Sequence, residues 1–408
     1  MTTATIEALA TGLPVVATTH SGFPDQVVPN KNGYLAREAD PEDFAEKMFQ
    51  FMEHPELWSE MSKNARAHAH ATYDKHALIA RQTGFYKKLS EGKSIAFVVG
   101  TFPLISETFI INQVADLLDL GFNIQIYALK KGSEENISER YFSYRMSERV
   151  HVMEMPEGYI ARIAAAIPKI LHILSVRPNV LLKIFDVTKY GANAYTLKTL
   201  FWAETMLDLD ADVVHCHFGT IANRYLIVRD ILGLAQPIIT TFYGFDISHI
   251  VKEKGIPYYD ELRKQCKLFL VMSNNMKERV AAIGFDNEKL FVLPISIDVE
   301  ASPFTQRVLA DGETIRIISV GRFVEKKGFD DLLRAVALLK KKQARSFMLS
   351  IVGGGVLDDE IRALAKKLDV LDVVEFLGPM KLEDIIVRYM QSHLYVQASK
   401  TSKDGDME

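Results

Sequence analysis

Residues 315–341, IRIISVGRFVEKKGFDDLLRAVALLKK, contain the structural unit from which the fold is built. The first six residues are mostly apolar, as in a buried strand, and apolar residues recur at helical spacing from about Asp330 to Lys341. The turn between strand and helix contains two glycines and three cationic side chains. A strand, a glycine-containing turn and a helix in this order predict one βα unit of a parallel sheet.

The same alternation of strand-like runs and helical segments extends in both directions along the chain. The strand-like runs are SIAFVVG (94–100), NIQIYAL (123–129), ADVVHCHF (211–218), PIITTFYG (237–244), KLFLVMS (267–273), KLFVLPI (289–295), FMLSIVGGG (347–355), VVEFLG (373–378) and HLYVQAS (393–399). They predict an α/β protein with two Rossmann-like doubly wound lobes. The weakly periodic segment from Glu300 to Gly312, which contains Pro303, is the predicted hinge.

Composition excludes several classes of protein. The 408 residues include 48 Lys and Arg and 52 Asp and Glu, so a net charge of -4 offers no broad cationic surface, and we expect no nucleic-acid partner. Two cysteines, Cys216 and Cys266, are too few for a disulfide framework and favour a reducing, cytoplasmic location. The first twenty residues lack a basic leading segment and are interrupted by Gly12 and Pro14, unlike a secretory signal.

The two ends of the chain each hold part of the second domain. The polar run 400–408 directly follows a strand-like run, with no helix to cover the sheet, whereas residues 2–71 supply the missing elements. These are a helix over 2–11, strands at LPVVAT (13–18) and NGYLA (32–36), and helices over 41–52 and 55–71. The pattern predicts a circularly permuted chain, with SEGK (90–93) as the splice between the former ends. We therefore expect domains at 93–299 and at 300–408 plus 1–74, joined by a crossing helix and splice linker at 75–92.

Polar residues that follow the strands indicate an anion site. Gly321, Arg322, Lys326, Lys327 and Gly328 lead into a helix whose amino end adds partial positive charge, which suits a diphosphate; a solvated basic turn is the alternative. Glycines at 353–355 allow close approach of a ligand or serve turn geometry alone.

Other phosphate-binding and metal-binding motifs are incomplete. The third glycine of a dinucleotide-binding fingerprint is replaced by Asp358, and no phosphate-binding P-loop sequence occurs, so a dehydrogenase or P-loop kinase is disfavoured. DGD at 404–406 has the spacing of a metal-binding acidic pair, but terminal acidic pairs are usually solvated, and no metal is expected.

Joined end to end, SKTSKDGDME (399–408) and the stretch that begins MTTATIEALATGLPVVAT (1–18) resemble the E-G-x6-E-A-x3-G-x-P-V-V-A-T motif of retaining glycosyltransferases of family four, which have the GT-B fold. GRFVEKKG (321–328) is similar to the family's G-R-x4-K-G. FPLISETFI (102–110), VVHCHFG (213–219) and TTFYGFDIS (240–248) resemble the exopolysaccharide-building branch of colanic-acid and amylovoran type. Six residues separate the two motif glutamates across the join where the family has seven, so one residue is missing at the cut, and we expect the Cα atoms of Glu408 and Met1 within roughly 8 Å.

The resemblance implies transfer of a sugar from a nucleotide diphosphate sugar to a glycan or polyprenyl-linked acceptor, with retention of configuration and without metal or cofactor. The residues it implies as catalytic are Arg322, Lys327, Glu408 and His217. On the donor side it implies Glu7 at the ribose, together with Thr2, Thr3, Gly321, Gly353, Gly354 and Ser399. On the acceptor side, which is the domain at 93–299, it implies Gly100, Glu107, Tyr243 and Asp246, although many relatives have His where Tyr243 stands.

Several of these residues have simpler interpretations. His215 and His217 alternate along a strand and face the same side, where both could be packed and hydrogen-bonded. Glu107 could begin a helix that has Ser106 as its N-cap. The apolar stretch from Tyr159 to Phe185 contains charges and prolines and cannot form one spanning helix. It fits helices that lie on the inner face of a membrane as a peripheral contact, or equally a bundle packed on its own domain.

Two other functions remain open at this point. The chain could be a catalytically silent nucleotide-sugar binder, or a segment-swapped assembly in which residues 1–90 complete a neighbouring chain. A sugar epimerase with the same fold is a third alternative, disfavoured because the motif after the join is closer to that of the transferases.

Overall fold

A computed structural model describes residues 2–135, 137–342 and 345–407. Of these, residues 2–78, 272–279 and 294–407 form one compact unit, here unit 1, and residues 79–271 and 280–293 form a second, unit 2. Both chain ends therefore contribute to unit 1. The predicted approach of Glu408 to Met1 lies outside the described residues.

The described residues form thirteen strands, nineteen α-helices and several short 3-10 turns. The strands are β1 Val15–Thr18, β2 Gly33–Ala36, β3 Ser94–Phe102, β4 Asn123–Lys131, β5 Val150–Val152, β6 Val213–His217, β7 Ile238–Phe242, β8 Leu268–Val271, β9 Leu290–Val292, β10 Ile315–Val320, β11 Phe347–Val352, β12 Val374–Gly378 and β13 Leu394–Gln397. The helices are α1 Thr3–Ala10, α2 Phe23–Gln26, α3 Pro41–Glu53, α4 Trp58–Tyr73, α5 Lys75–Leu89, α6 Thr108–Asp119, α7 Glu139–Ser143, α8 Tyr159–Val176, α9 Leu181–Ile184, α10 Val187–Tyr190, α11 Ala192–Tyr195, α12 Lys198–Thr205, α13 Gly219–Leu232, α14 His249–Lys254, α15 Asp260–Gln265, α16 Asn274–Ala282, α17 Phe329–Lys341, α18 Asp358–Lys367 and α19 Leu382–Gln391. The 3-10 turns are Pro55–Leu57, Ile105–Glu107, Met146–Arg149, Pro178–Val180, Ile256–Tyr259, Asn287–Lys289 and Glu325–Lys327.

Unit 2 is built on a seven-stranded sheet in the order β5-β4-β3-β6-β7-β8-β9, in which every neighbouring pair is parallel. Counted along the chain from β3, the order of its first six strands is 3-2-1-4-5-6, the order of a Rossmann sheet. The predicted parallel α/β fold of this region is confirmed. Strand β5 was not predicted; it has three residues and lies at the edge of the sheet.

Unit 1 is built on a six-stranded parallel sheet in the order β12-β11-β10-β13-β1-β2. Near the carboxyl end of the chain, β13 pairs with β1 near the amino end, with Val15 opposite Tyr395. If the count begins at β10, passes through β13 and continues at β1, this order is again 3-2-1-4-5-6. The two ends of the polypeptide thus supply successive strands of one Rossmann sheet.

Both faces of the unit 1 sheet are buried. Val15 and Ala17 of β1 belong to a core cluster with Tyr395 on one side, and Val16 belongs to a second cluster with Val396 on the other. All four residues of β1 are buried, as expected for a strand covered by helices on both faces. The predicted doubly wound architecture is confirmed.

The predicted hinge from Glu300 to Gly312 is wrong, because this segment lies inside unit 1. The chain passes from unit 2 to unit 1 earlier, between Leu293 and Pro294. Arg307 is buried and donates hydrogen bonds to the carbonyl oxygens of Thr11 (3.2 Å) and Tyr389 (3.0 Å). The segment resembled a linker because it contains Pro303 and shows little periodicity, whereas the hydrogen bonds of its arginine connect it to the core.

Helix α8 departs from expectation in one respect. It runs unbroken through Pro168, which costs the helix one hydrogen bond without ending it. As expected, 159–185 is not a single helix, since α8 stops at Val176. Among the residues described, α8 alone is long and apolar enough to cross a membrane by length and composition.

Candidate active site

The turn after β10 has a shape that depends on two glycines. Gly328 has φ +64°, and a Cβ there would lie 1.8 Å from the carbonyl oxygen of Ala398. Gly353, at the end of β11, has φ +139°, and a Cβ there would lie 1.9 Å from the carbonyl oxygen of Gly321. Any side chain at either position would clash with backbone. The carboxyl ends of β10, β11 and β13 are therefore packed closely together, at the edge where parallel sheets bind ligands.

The three cationic side chains of this turn have different surroundings. Arg322 is exposed, and its guanidinium has no partner among the residues the structure describes. Lys326 is already neutralised, because its Nζ lies 2.9 Å from Asp406 Oδ2 and donates to the carbonyl of Met407 (3.2 Å). Lys327 lies across Gly321, where a Cβ would be 3.3 Å from Lys327 Cδ. Arg322 is consequently available to a ligand.

The carboxyl-terminal polar run is held beside this turn by hydrogen bonds. The amide of Lys400 donates to the carbonyl of Lys326 (2.9 Å), and Gln397 Nε2 donates to the carbonyl of Lys327 (3.2 Å). Ser399 is buried, and its Oγ accepts a hydrogen bond from Gln397 (3.0 Å). Ser399 therefore supports the site, and the run leads toward Glu408, which lies outside the described residues.

The acidic pair of the DGD sequence is bound within the chain. Asp406 pairs with Lys326, and Asp404 accepts a hydrogen bond from the amide of Asp406 (3.0 Å). These carboxylates are thus not simply solvated, as the terminal position suggested. In the described part of the chain, no group of three or more His, Cys, Asp or Glu side chains could hold a metal ion.

Helix α1 brings the amino terminus to the same edge of the sheet. A helix that leads into a parallel strand runs antiparallel to it, so the start of α1 lies at the edge where the strands end. Thr2 is the N-cap: its Oγ1 accepts from the amide of Thr5 (3.3 Å), and its carbonyl accepts from Gln26 Nε2 (3.1 Å). Thr3 is exposed in the first turn. Backbone amides at this end are positioned for an anion.

Glu7 follows one turn later on α1 and is perturbed by its surroundings. The residue is half-buried, and burial raises the pKa of Glu7 to about 7. Its carboxyl also contributes to the raised pKa of Tyr389, after the larger effect of burial, so the two groups are close. A carboxylate kept partly from water without a compensating cation is typical of a functional site.

In unit 2, His215 and His217 stack on the same face of β6, with ring centroids 4.5 Å apart. His215 is packed and satisfied: Nδ1 pairs with the hydroxyl of Tyr86 and Nε2 with that of Thr241, each at 2.7 Å. Burial lowers the pKa of His215 to about 3, so it is neutral. The structural interpretation offered from the sequence holds for His215.

His217 is satisfied on one nitrogen only. Its Nδ1 pairs with the hydroxyl of Tyr243 (2.8 Å), whereas the buried Nε2 has no hydrogen-bond partner among the described residues. Burial, and then the neighbouring His215, hold the pKa of His217 well below its usual value. A neutral imidazole with one unused nitrogen is suited to bind a hydroxyl of a ligand.

Glu107 lies near this pair. Burial raises the pKa of Glu107 to about 7, and its Oε2 is another buried atom without a partner in the described part of the chain. Burial and then the Glu107 carboxyl raise the pKa of Tyr243, which also packs on Phe109 with centroids 4.8 Å apart. Ser106 is not the N-cap of α6, because a 3-10 turn over Ile105–Glu107 precedes the helix and puts Glu107 at the cap position.

Asp246 organises the loops instead of facing a ligand. Its Oδ2 accepts from the amide of Gly219 (2.8 Å), and its Oδ1 accepts from the amides of Tyr243 and Gly244 (3.2 Å each). Burial raises the pKa of Asp246 to about 6. It therefore holds together the turns after β6 and β7.

Backbone geometry at the end of β6 is strained. Phe218, directly after His217, has φ +73°, which non-glycine residues rarely adopt. Such strain persists where the surroundings enforce it, and it often marks functional turns. Gly100 is part of β3, where a Cβ would meet only Ile221 at 3.6 Å, so space does not require glycine there.

Sequence reasoning missed Tyr86, Thr241 and Phe218. Tyr86 comes from α5, 129 residues before its partner His215. Nothing in its own segment indicates that contact. The sequence offers one signal for the unusual backbone of Phe218, which is its position between strand β6 and a helix that begins with glycine.

Comparisons with known proteins agree with this geometry. The profile described as Glycosyl transferases group 1 matches residues 1–68 and 303–405, and that described as Glycosyltransferase Family 4 matches residues 106–301. The amylovoran biosynthesis glycosyltransferase AmsK of Erwinia amylovora is 31% identical over 327 residues, which cover 77% of each chain. This chain belongs to the group 1 glycosyltransferases.

Another relative of this glycosyltransferase is WcaL of Escherichia coli, whose name assigns it to colanic acid biosynthesis. It is 29% identical over 318 residues, 77% of each chain. Among solved structures, HepE of Anabaena in complex with UDP has a TM-score of 0.49 at 12% identity, covering 76% of this chain and 74% of that chain. The family matches and the relatives AmsK and WcaL confirm the predicted enzyme class.

Proposed function

We propose that this glycosyltransferase moves a sugar from a nucleotide diphosphate sugar to a hydroxyl of a glycan or polyprenyl-linked acceptor in exopolysaccharide biosynthesis, with retention of anomeric configuration. The observation that carries the donor half is the glycine-shaped turn after β10, where Arg322 is exposed and Lys327 packs across Gly321. The relatives named for amylovoran and colanic acid biosynthesis support the exopolysaccharide setting.

The proposed chemistry is electrostatic. As the bond from sugar to phosphate breaks, negative charge grows on the leaving diphosphate, and Arg322 and Lys327 bind that charge more strongly in the transition state. Lys327, which packs across Gly321, and the backbone amides are already held in place and need no reorganisation during the reaction. Removing either cation should raise the barrier by about 3 kcal/mol, or roughly a hundredfold in rate.

Other donor-side roles follow the motif. Glu7 would accept hydrogen bonds from the ribose hydroxyls and Glu408 from the donor sugar, while the amides of Thr2, Thr3 and Gly354 would border the phosphates. The amide of Gly353 already donates to the carbonyl of Gly378 (2.9 Å), so Gly353 would serve by letting the phosphates approach the backbone closely. Gly321 and Ser399 would shape the turn. No metal or cofactor is required in this proposal, because side chains and amides supply the positive charge.

On the acceptor side, His217 offers Nε2 and Glu107 offers Oε2 to sugar hydroxyls. Both atoms are buried and unpaired among the described residues. Tyr243 holds the His217 ring, Asp246 holds the loop that carries Tyr243, and Gly100 lies on the neighbouring strand β3. Tyr243 and Asp246 are thus positioning residues in this proposal.

We also propose that the chain is circularly permuted, with an acceptor-side domain at 93–299, a donor-side domain at 300–408 plus 1–74, and a crossing helix and splice linker at 75–92. The parallel pairing of β13 with β1 and the 3-2-1-4-5-6 order counted through the chain ends support this. A cytoplasmic location fits the nucleotide-sugar donor.

A transfer assay tests the function. Purified protein is incubated with UDP-, GDP- and ADP-sugars and a polyprenyl-linked glycan acceptor, and product is followed by mass spectrometry and its anomeric linkage by NMR. We expect one donor to give a retained product. Nucleotide binding without any transfer would favour a silent binder, a converted sugar without acceptor would favour an epimerase, and a dimer held by exchanged segments would favour swapping.

A further inference from the structure

Helix α8 presents its apolar side to solvent and its charged side to its own domain. Five large apolar side chains lie on the outer side of the helix, and each is between 46 and 84% exposed. They are Ile160, Ile163, Ile167, Leu171 and Leu174. At 100° per residue they lie within an arc of about 80° that contains no charged residue. A soluble domain normally places such an arc against its core.

The charged residues of α8 hold the helix in this orientation. Arg162 donates to the carbonyl oxygens of Pro156 (2.6 Å) and Glu157 (3.1 Å), and Lys169 Nζ pairs with Glu204 Oε2 on α12 at 2.6 Å. Turning the apolar side inward would break these bonds and bury two cations. The helix is therefore fastened lengthwise along unit 2, which does not suit a spanning orientation.

The short helices that follow also expose apolar side chains. Leu182 is 86% exposed, and Phe185, Val187 and Tyr195 are also exposed. Together with the five apolar residues of α8 they are called the α8 surface here. So many exposed large apolar side chains in one segment of a folded protein indicate an interaction site.

Charge indicates the occupant. Residues 159–198 contain six basic residues and one acidic residue, a net charge of +5. Glu204 and Asp230, which pair with Lys169 and Lys189, reduce this local charge to +3, whereas the whole chain has -4, which leaves -7 on the remainder. A second copy of the same surface would bring two regions of +3 together. An anionic bilayer would attract this segment and repel the rest of the molecule, which also sets the orientation.

We propose that the α8 surface lies on an anionic lipid bilayer, with α8 in the plane of the interface and its apolar side chains below the headgroups. Lys183, next to Leu182, would contact the headgroups; its Nζ donates to the carbonyl oxygen of Asp230 (3.3 Å) and has no carboxylate partner among the described residues, whereas Lys189 is paired with Asp230 Oδ2 at 2.6 Å. This inference stands apart from the donor site, which is in unit 1.

Co-sedimentation of the full chain with lipid vesicles tests the proposal. Vesicles of phosphatidylcholine with 30% phosphatidylglycerol are compared with pure phosphatidylcholine. The test variant combines Ile167→Asp with Leu171→Asp. The matched control combines Leu371→Asp with Val387→Asp in unit 1, where the side chains are exposed to a similar degree, 53 and 54%.

We expect binding to anionic vesicles that falls at least tenfold in the test pair and is unchanged in the control pair. Lys183→Gln should weaken binding roughly fivefold, and added salt should weaken it further. Melting curves check that the test pair folds; if it does not, Ile160→Ser, at the most exposed position of α8, replaces it.

Four results would overturn the proposal. The wild-type protein could stay in the supernatant, or bind neutral and anionic vesicles equally. The test and control pairs could lose vesicle binding to the same degree. The bound protein could resist extraction with carbonate, which indicates a spanning helix. A dimer in sedimentation that the test pair dissociates, without vesicle binding, would assign the surface to a second copy instead.

Discussion

Replacement of Glu7 by Gln should stabilise the free enzyme while it weakens nucleotide binding. Glu7 lies on α1 at the proposed ribose position, and burial raises its pKa from 4.5 to about 7. Above that pH the folded protein must keep an ionised carboxylate partly away from water. Glutamine has nearly the same shape and carries no charge, so it removes that penalty. It also replaces one of the two acceptor oxygens that the ribose hydroxyls need with an NH2 donor.

The size and sign of the effect follow from the two pKa values. Between pH 4.5 and 7 the folded state retains a proton that the unfolded state has lost, so the free energy of unfolding decreases as pH rises and levels off above 7. The full shift corresponds to about 3 kcal/mol. Because Glu7 is only half-buried, solvent screening lowers our expectation to about 2 kcal/mol at pH 8.

Urea unfolding of wild-type and Glu7→Gln proteins at pH values from 5.0 to 8.5 measures this difference. We expect it to grow from near zero at pH 5 to ~2 kcal/mol at pH 8, and the melting temperature to rise by ~4–8 °C. Glu60→Gln, exposed on α4, is the control and should change neither. Calorimetry should show nucleoside diphosphate binding at least tenfold weaker in Glu7→Gln. A difference that does not vary with pH, or a destabilised variant at pH 8, would refute the reasoning.

Three further predictions concern the acceptor side, the chain ends and metals. Tyr243→Phe leaves His217 Nδ1 unpaired and should lower both kcat and the free energy of unfolding, the latter by ~1–3 kcal/mol. Thr241→Val removes a hydrogen bond to His215 and should lower stability alone. Melting curves and initial rates distinguish these outcomes. A chain in which residue 408 is joined to residue 1 through one added glycine, and opened at 90–93, should fold and still bind donor, since β13 and β1 are already paired in one sheet; an unfolded product in melting curves would contradict this. EDTA should leave the transfer rate unchanged, and a loss restored by a divalent cation would direct attention to Asp404 and Asp406.

Much of the fold could be predicted because both sheets are buried on two faces. Strands such as IRIISV and ADVVHCH stand out as short apolar runs, and their spacing by helices specifies a parallel sheet. The placement of residues 2–71 and 393–399 in one domain was also predictable, and the pairing of β1 with β13 agrees with it. The edge strand β5 was missed because three residues are too few to show the alternation of apolar and polar side chains that predicts a strand.

The candidate site was predictable only in part. Alternation along β6 placed His215 and His217 on one face, and the stacked rings confirm that placement. Which histidine keeps an unused nitrogen depends on Tyr86 and Tyr243, whose contacts arise only in the folded chain. Ser106 failed as a cap because a 3-10 turn intervenes, which its sequence does not indicate.

The central claim is that the turn after β10 binds the diphosphate of the donor through Arg322. Isothermal titration of wild-type protein, Arg322→Ala and Lys367→Ala with UDP, GDP and ADP tests it most directly, since Lys367 is an exposed cation at the far end of α18. We predict that one nucleotide binds wild type and Lys367→Ala alike, and Arg322→Ala at least tenfold more weakly. Equal affinity of Arg322→Ala and wild type for that nucleotide would contradict the account.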